Sequence, residues 1–227
     1  KKNIGGRYSV LSEVGILPAY LMGLNIFKIR SKIKDSLSKK NKSLIKESTT
    51  KLANIMNTKK FSNLVLLNYC PELEKFLFWC QQLLAESLGK KSKGLLPSIS
   101  NAPKDHHSLL QLYLDGPRDK IFNIFSLEKN SNLRINLSKN KNISSYLNKK
   151  KISRIKISQK NALIKAFEKK KIPFREFRIK TINEEVLGKL FSIFIVETII
   201  LGKLLNINPF DQPAVEQVKI DTKNFLT

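Results

Sequence analysis

At 227 residues the chain can form one large domain or two small ones with a real core, and an apolar share of 41% points to a globular fold. The formal net charge of +24 suggests nucleic acid or an anionic membrane as partner. Nearly all of the excess is Lys, however. Arg, which grips phosphates and bases with two parallel bonds, stands only at positions 7, 30, 118, 134, 154, 175 and 178. Lys, Asn and Ile are all abundant, so the charge reads as a compositional bias, and neither a nucleic-acid nor a membrane partner is expected.

In chain order, a glycine turn at Gly5 and Gly6 precedes apolar positions at helical spacing over 17–36, and a second amphipathic segment covers 43–56. The compact apolar run FSNLVLLNY, 61–69, suits a buried strand. Pro71 is placed to open a helix at its first position, which runs to a stop at Gly89. Asp105 can cap a helix reaching Leu114, ended by Gly116 and Pro117. KIFNIFSL, 120–127, predicts the next strand. Residues 129–156, rich in Asn, Ser and Lys, read as an exposed excursion.

Helix is expected again over 159–170, strand at PFREFRIK (173–180), a long buried helix over 183–205 and a last helix after Phe210. The apolar run LFSIFIVETIIL (190–201) is too short for a bilayer and carries Glu197, so it belongs to that buried helix. Strands separated by helices predict an α/β fold, a parallel sheet flanked by helices in three αβα layers. The two cysteines, Cys70 and Cys80, lack metal-ligand spacing, and there are two His in all. No metal site is expected, and the bland reading of the thiols is a reduced, cytoplasmic setting. The start KKNIGGRYS, without Met, suggests a piece of a longer protein.

Three constellations carry chemistry. In GGRYS, 5–9, paired glycines permit close backbone approach, and Arg7 brings a permanent charge. Gln82 and Glu86 lie four apart in QQLLAESLGK and share one helical face. DHHSLLQLYLDG sets His106 and His107 ahead of Gln111, one of them able to titrate near neutral pH. Singly, each has an ordinary explanation: a surface Arg beside a turn, a solvated Glu, a locally packed His.

Together and in order, IGGRYSVLSEVG, QLLAESLGK, DHHSLLQLYLDGP and FDQPAVEQVK resemble the phosphoglucose isomerase family, which is built from two sugar-isomerase (SIS) domains. The resemblance extends over nearly the whole chain. It implies that 1–40 end a first such domain and its connecting helix, and that 41–227 form the C-terminal one. It further implies interconversion of D-glucose 6-phosphate and D-fructose 6-phosphate in glycolysis and gluconeogenesis, without metal or organic cofactor.

The resemblance also assigns roles. Glu86 matches the base that carries a proton between C2 and C1, and Arg7 the cation that meets the enediolate. His107 and Lys219 match the ring-opening pair; His107, four residues before Gln111 and nine before Gly116, fits the family spacing. Gln82 and Gln212 match substrate contacts, the latter near the phosphate, and Gly6 lines the site. Lys90 and Glu216 fall inside the motifs without an assigned role. A homodimer is implied, with His107 serving the neighbouring subunit.

The chain departs from the family pattern at Lys2, at Glu13, where a small residue is favoured, and at Ala214, where Gly is, so the turn before Lys219 is expected to be built differently. The family's Ser/Thr-rich phosphate-binding loop precedes GGRYS and is expected upstream; KESTTK (46–51) lies in a helical pattern and is no substitute. A non-catalytic sugar-phosphate-binding module would keep a phosphate grip and could dispense with Glu86, His107 and Lys219. A nucleic-acid-binding protein would interleave its basic runs with exposed aromatics, unlike NKKK and EKKK here.

Overall fold

The computed structural model describes residues 4–128, 132–136 and 145–227; Lys2 and, within the polar excursion, positions 129–131 and 137–144 lie outside them. A 3-10 turn, Gly6–Leu11, leads into α1 (Glu13–Leu21). The helix expected over 17–36 is broken. Gly23, at φ 80°, ends α1 in the left-handed conformation that glycine adopts without strain. Asn25 then caps α2 (Ile26–Ser31) by accepting a bond from the Lys28 amide, and α3 (Ile33–Ser36) is a single turn.

Next come α4 (Lys39–Asn57), which contains KESTTK, and β1 (Asn63–Asn68). Pro71 opens a 3-10 turn, Pro71–Leu73, rather than the helix itself; α5 begins at Glu74 and runs to Leu88. β2 (Leu96–Asn101) is an addition to the expected strands: its apolar signal is thin, and Pro97 is tolerated because β2 is an edge strand. α6 is His106–Asp115. Asp105 stands before it but makes no cap bond; its carboxylate accepts from the Asn101 amide at 2.7 Å instead.

β3 (Lys120–Leu127) is as expected. α7 (Ile152–Lys169) starts about two turns before the predicted 159, its early turns disguised by Ser153, Arg154, Lys156 and Ser158 among the apolar positions. β4 (Phe174–Ile179), α8 (Glu184–Leu204) and α9 (Pro213–Leu226) follow.

The chain forms two compact units. The first contains the described residues of Lys1–Lys60, Phe78–Leu96 and Asn183–Thr227, the second those of Phe61–Leu77 and Pro97–Ile182. The second unit holds the sheet, in the order β2-β1-β3-β4, with β1 parallel to β3 and β3 parallel to β4. Because neighbouring residues point to opposite faces, Val65 and Leu67 of β1 join Phe122 and Ile124 of β3 on one side. There they pack with Tyr113 of α6 and with Leu163 and Phe167 of α7. Phe125 points the other way and meets Phe76 of α5 edge-on at 6.5 Å. A parallel sheet with helices packed on it is the expected α/β fold.

The first unit is helical and centred on α8, whose Leu190, Phe194, Thr198 and Leu201 are buried. α2 crosses α8 so closely that a Cβ at Gly188 would lie 1.8 Å from the Ile29 carbonyl oxygen, so glycine is required there. At the far end of α8, Gly202 admits the Pro209 ring, which a Cβ would meet at 3.0 Å. Cys70 and Cys80 form no disulfide and are completely buried, and burial pushes the Cys70 thiol up to about 12. Among the described residues no helix is long and apolar enough to cross a membrane.

Candidate active site

Arg7 is the organising residue. It lies in the 3-10 turn that follows the two glycines and is buried, with 3% of its surface exposed. A buried guanidinium needs acceptors for each of its five N–H groups, and all five are met inside the first unit. Nε donates to Ser87 Oγ at 2.9 Å. One terminal nitrogen donates to Glu86 Oε2 at 3.2 Å and to Gln212 Oε1 at 3.4 Å. The other donates to the carbonyl oxygens of Pro209, at 2.8 Å, and Asp211, at 3.0 Å.

Neighbouring side chains wall this socket. The Trp79 indole N–H donates to the Arg7 carbonyl at 3.0 Å, and the Trp79 ring rests edge-on against Phe191. The Tyr8 hydroxyl is 2.9 Å from Ser87 Oγ and 3.2 Å from the Pro209 carbonyl. Burial raises the Tyr8 phenol, and the bond to Ser87 and the Arg7 charge only partly offset it.

Glu86 and Ser87 sit near the end of α5, on adjacent sides of the helix. Glu86 divides its oxygens: Oε2 faces Arg7, and Oε1 accepts from Gln82 Nε2 at 2.9 Å, one turn earlier. Gln82 is exposed, as its place on the outer edge of that face requires. Arg7, Glu86, Gln82 and Gln212, drawn from three distant motifs, are therefore brought together. Gly6 starts the turn that carries Arg7, and a Cβ there would meet nothing within 4 Å, so the backbone at this point borders open space.

Lys219 is not part of this cluster. It lies on α9, a helix without a buried residue, and its ammonium is 2.7 Å from Glu216 Oε1, one turn back. Ala214 lies in the first turn of α9 and is not a positive-φ residue, so replacing Gly at this point brings no strain here. The chain reverses instead at Gln212, with φ −155° and ψ 62°.

In the second unit, His106 and His107 open α6. His106 turns inward: Nε2 is 2.8 Å from the Tyr69 hydroxyl, and the two rings meet edge-on. Burial lowers the His106 imidazole and Asp105 raises it, the first effect being the larger. His107 is exposed at the surface. Gln111, one turn on, is exposed as well.

Sequence reasoning missed Tyr8, Ser87, Trp79, Lys90 and Asp211. All but Trp79 stand inside the quoted motifs, but spacing does not say which of them turn toward Arg7. Among the described residues no three of His, Cys, Asp or Glu converge as metal ligands would.

The chain is similar to known proteins over nearly its whole length. Over its whole length the chain is 35% identical to a probable glucose-6-phosphate isomerase of Methanococcus maripaludis, of which it spans 52%. Over 96% of its length it is 34% identical to a glucose-6-phosphate isomerase of Methanocaldococcus jannaschii, of which it spans 55%. It thus covers about half the length of these curated relatives. A crystal structure of a hypothetical protein from Thermus thermophilus aligns with a TM-score of 0.86 at 26% identity, over 98% of this chain and 55% of the other. A glucose-6-phosphate isomerase from Chlamydia trachomatis shares the fold, with a TM-score of 0.75 at 19% identity, over 98% of this chain and 47% of the other. No family model matches the chain.

Proposed function

Since the chain belongs to the glucose-6-phosphate isomerase family, over the half of its relatives' length that it spans, we propose that it supplies the isomerising half of such an enzyme. The reaction is the interconversion of D-glucose 6-phosphate and D-fructose 6-phosphate. One observation carries the reading: the Glu86 carboxylate lies 3.2 Å from a buried Arg7 whose other bonds fix its place.

Moving a proton from C2 to C1 requires one base with access to both carbons, which Glu86 provides as a half-exposed carboxylate at a helix end. When it takes the proton, its negative charge passes to the enediolate oxygens. Arg7 already stands beside the carboxylate, so the charge moves while keeping the same counterion, and little reorganisation is needed. Gln82 orients the base from one side, and Gln212, bonded to the same guanidinium, is assigned the contact near the substrate's phosphate. Gly6 leaves room for the sugar. No metal or organic cofactor enters these steps.

Ring opening precedes isomerisation and needs one group to protonate the ring oxygen and another to take the hydroxyl proton, roles assigned to His107 and Lys219. The exposure of His107 suits a residue that serves a second copy of the chain, and the working unit is a homodimer with one His107 reaching into each partner's site. In this reading residues 1–40 end a first sugar-isomerase domain and 41–227 form the second. The compact units described above are a division by packing and cut the chain differently. A cytoplasmic location follows from the substrate.

The test is Glu86→Gln in the full-length protein. kcat should fall at least about a thousandfold with KM nearly unchanged, because the base acts on the transition state more than on bound substrate. Turnover within tenfold of the parent would eliminate Glu86 as the proton carrier.

A further inference from the structure

We propose that Lys90 is a positioning residue for the Arg7 socket: its ammonium latches the 208–212 turn in the shape that presents acceptors to the guanidinium. The inference rests on the isomerase reading for its readout, but its geometry is independent of it.

Lys90 follows Gly89, just beyond the end of α5. Its side chain is 12% exposed, little for a lysine. Nζ donates to the carbonyl oxygens of Asn208 and Asp211 and to Asp211 Oδ1 at 2.7 Å. An ammonium has three hydrogens, and all three are used on one turn of five residues.

Arg7 grips the same turn as well, through the carbonyls of Pro209 and Asp211 and the amide oxygen of Gln212. The Asp211 carbonyl accepts from both cations. Without Lys90, the Asn208 carbonyl and Asp211 Oδ1 would lose the donor that ties them together, and the Asp211 carbonyl would keep Arg7 alone. Gly202 below the turn and Asn208, which donates to Asp211 Oδ2 at 2.9 Å, complete the frame. Asp211 is accordingly held below the usual carboxylate range, first by its bond to Lys90. Lys90 therefore fixes where Arg7 points, and Arg7 meets charge that develops in the transition state. A loss there should appear in kcat more than in KM.

The experiment measures kcat, KM and thermal midpoint for Lys90→Met and Lys90→Arg in the full-length protein with D-fructose 6-phosphate. For Lys90→Met, kcat should fall about thirtyfold with KM within threefold of the parent. Lys90→Arg, which can still donate to the turn, should recover at least half of the logarithmic loss. Parental kcat in Lys90→Met would overturn the proposal, as would equal losses in both variants. Should Lys90→Met fail to fold, Asp211→Asn keeps both carbonyl bonds, loses the charged one and should lower kcat about fivefold at unchanged KM; parental kcat there would overturn it. A parent without isomerase activity would instead strike the functional reading. The latch would then be judged by the thermal midpoint alone, where no drop in Lys90→Met relative to Lys90→Arg would overturn it.

Discussion

Arg7 and Lys219 both lie in stretches that match one family, yet their surroundings differ in kind. Arg7 is enclosed, and each of its N–H groups has an acceptor from another part of the first unit. Lys219 stands on a helix shaped by local terms: Pro213 in its first turn, the Glu216 pair and a bond from Gln217 to Asp221. Its apolar residues Val215, Val218, Phe225 and Leu226 are exposed. One position is set by burial and satisfied polarity, the other by backbone propensity and side-chain pairs within its own helix. Motif membership does not distinguish these cases, and only the first specifies a side-chain geometry.

The comparison can be broken most decisively at Arg7. Arg7→Met leaves Glu86 without its counterion and takes one donor from each of five acceptors, so it should destabilise the full-length protein by about 3 kcal/mol and lower kcat about a thousandfold. Denaturant midpoints and steady-state rates measure the two losses, and stability equal to the parent's would mean that the socket is no structural keystone. A second test asks whether a surface residue can be indispensable. Glu86→Gln and His107→Ala chains, each nearly inactive, should regain about one quarter of parental activity when co-refolded, since half the dimers are mixed and each has one intact site. No recovery despite proven subunit exchange would place His107 in its own chain's site. The smallest effect is expected at Lys219. Lys219→Met should shift the thermal midpoint by less than about 2 °C while lowering kcat about a hundredfold for ring-closed substrate; a large thermal shift would contradict the exposed position of α9.

How much of this is legible in the sequence follows the same division. β3 announces itself because six consecutive buried positions, Ile121 to Ser126, leave little but strand to form. α8 does so because its apolar run is long and asparagine-capped. β2 escapes notice because an edge strand buries few large side chains, and its serines and proline read as loop. The break at Gly23 depends on a backbone angle, and the extra turns of α7 on which face its lysines take; neither leaves a mark in the hydrophobic period. At the site, the motifs name Arg7, Glu86, Gln82 and Gln212 but give no role to Ser87, Tyr8 and Lys90. Their partners are backbone carbonyls, a shared hydroxyl, the Arg7 guanidinium and the Asp211 carboxylate, and pairings of that kind are decided by three-dimensional closure over separations of 79 to 201 residues.

Trp79 is the chain's single tryptophan, and its indole N–H is bonded to the carbonyl of Arg7. The tryptophan emission of these 227 residues therefore comes from one fluorophore, hydrogen-bonded to the backbone of the residue that carries the guanidinium. Its wavelength depends on that bond and on the polarity around Phe191, so any ligand that tugs on Arg7 writes an optical signal without a label. A titration in a cuvette can thus report occupancy of the site even where no turnover is measured.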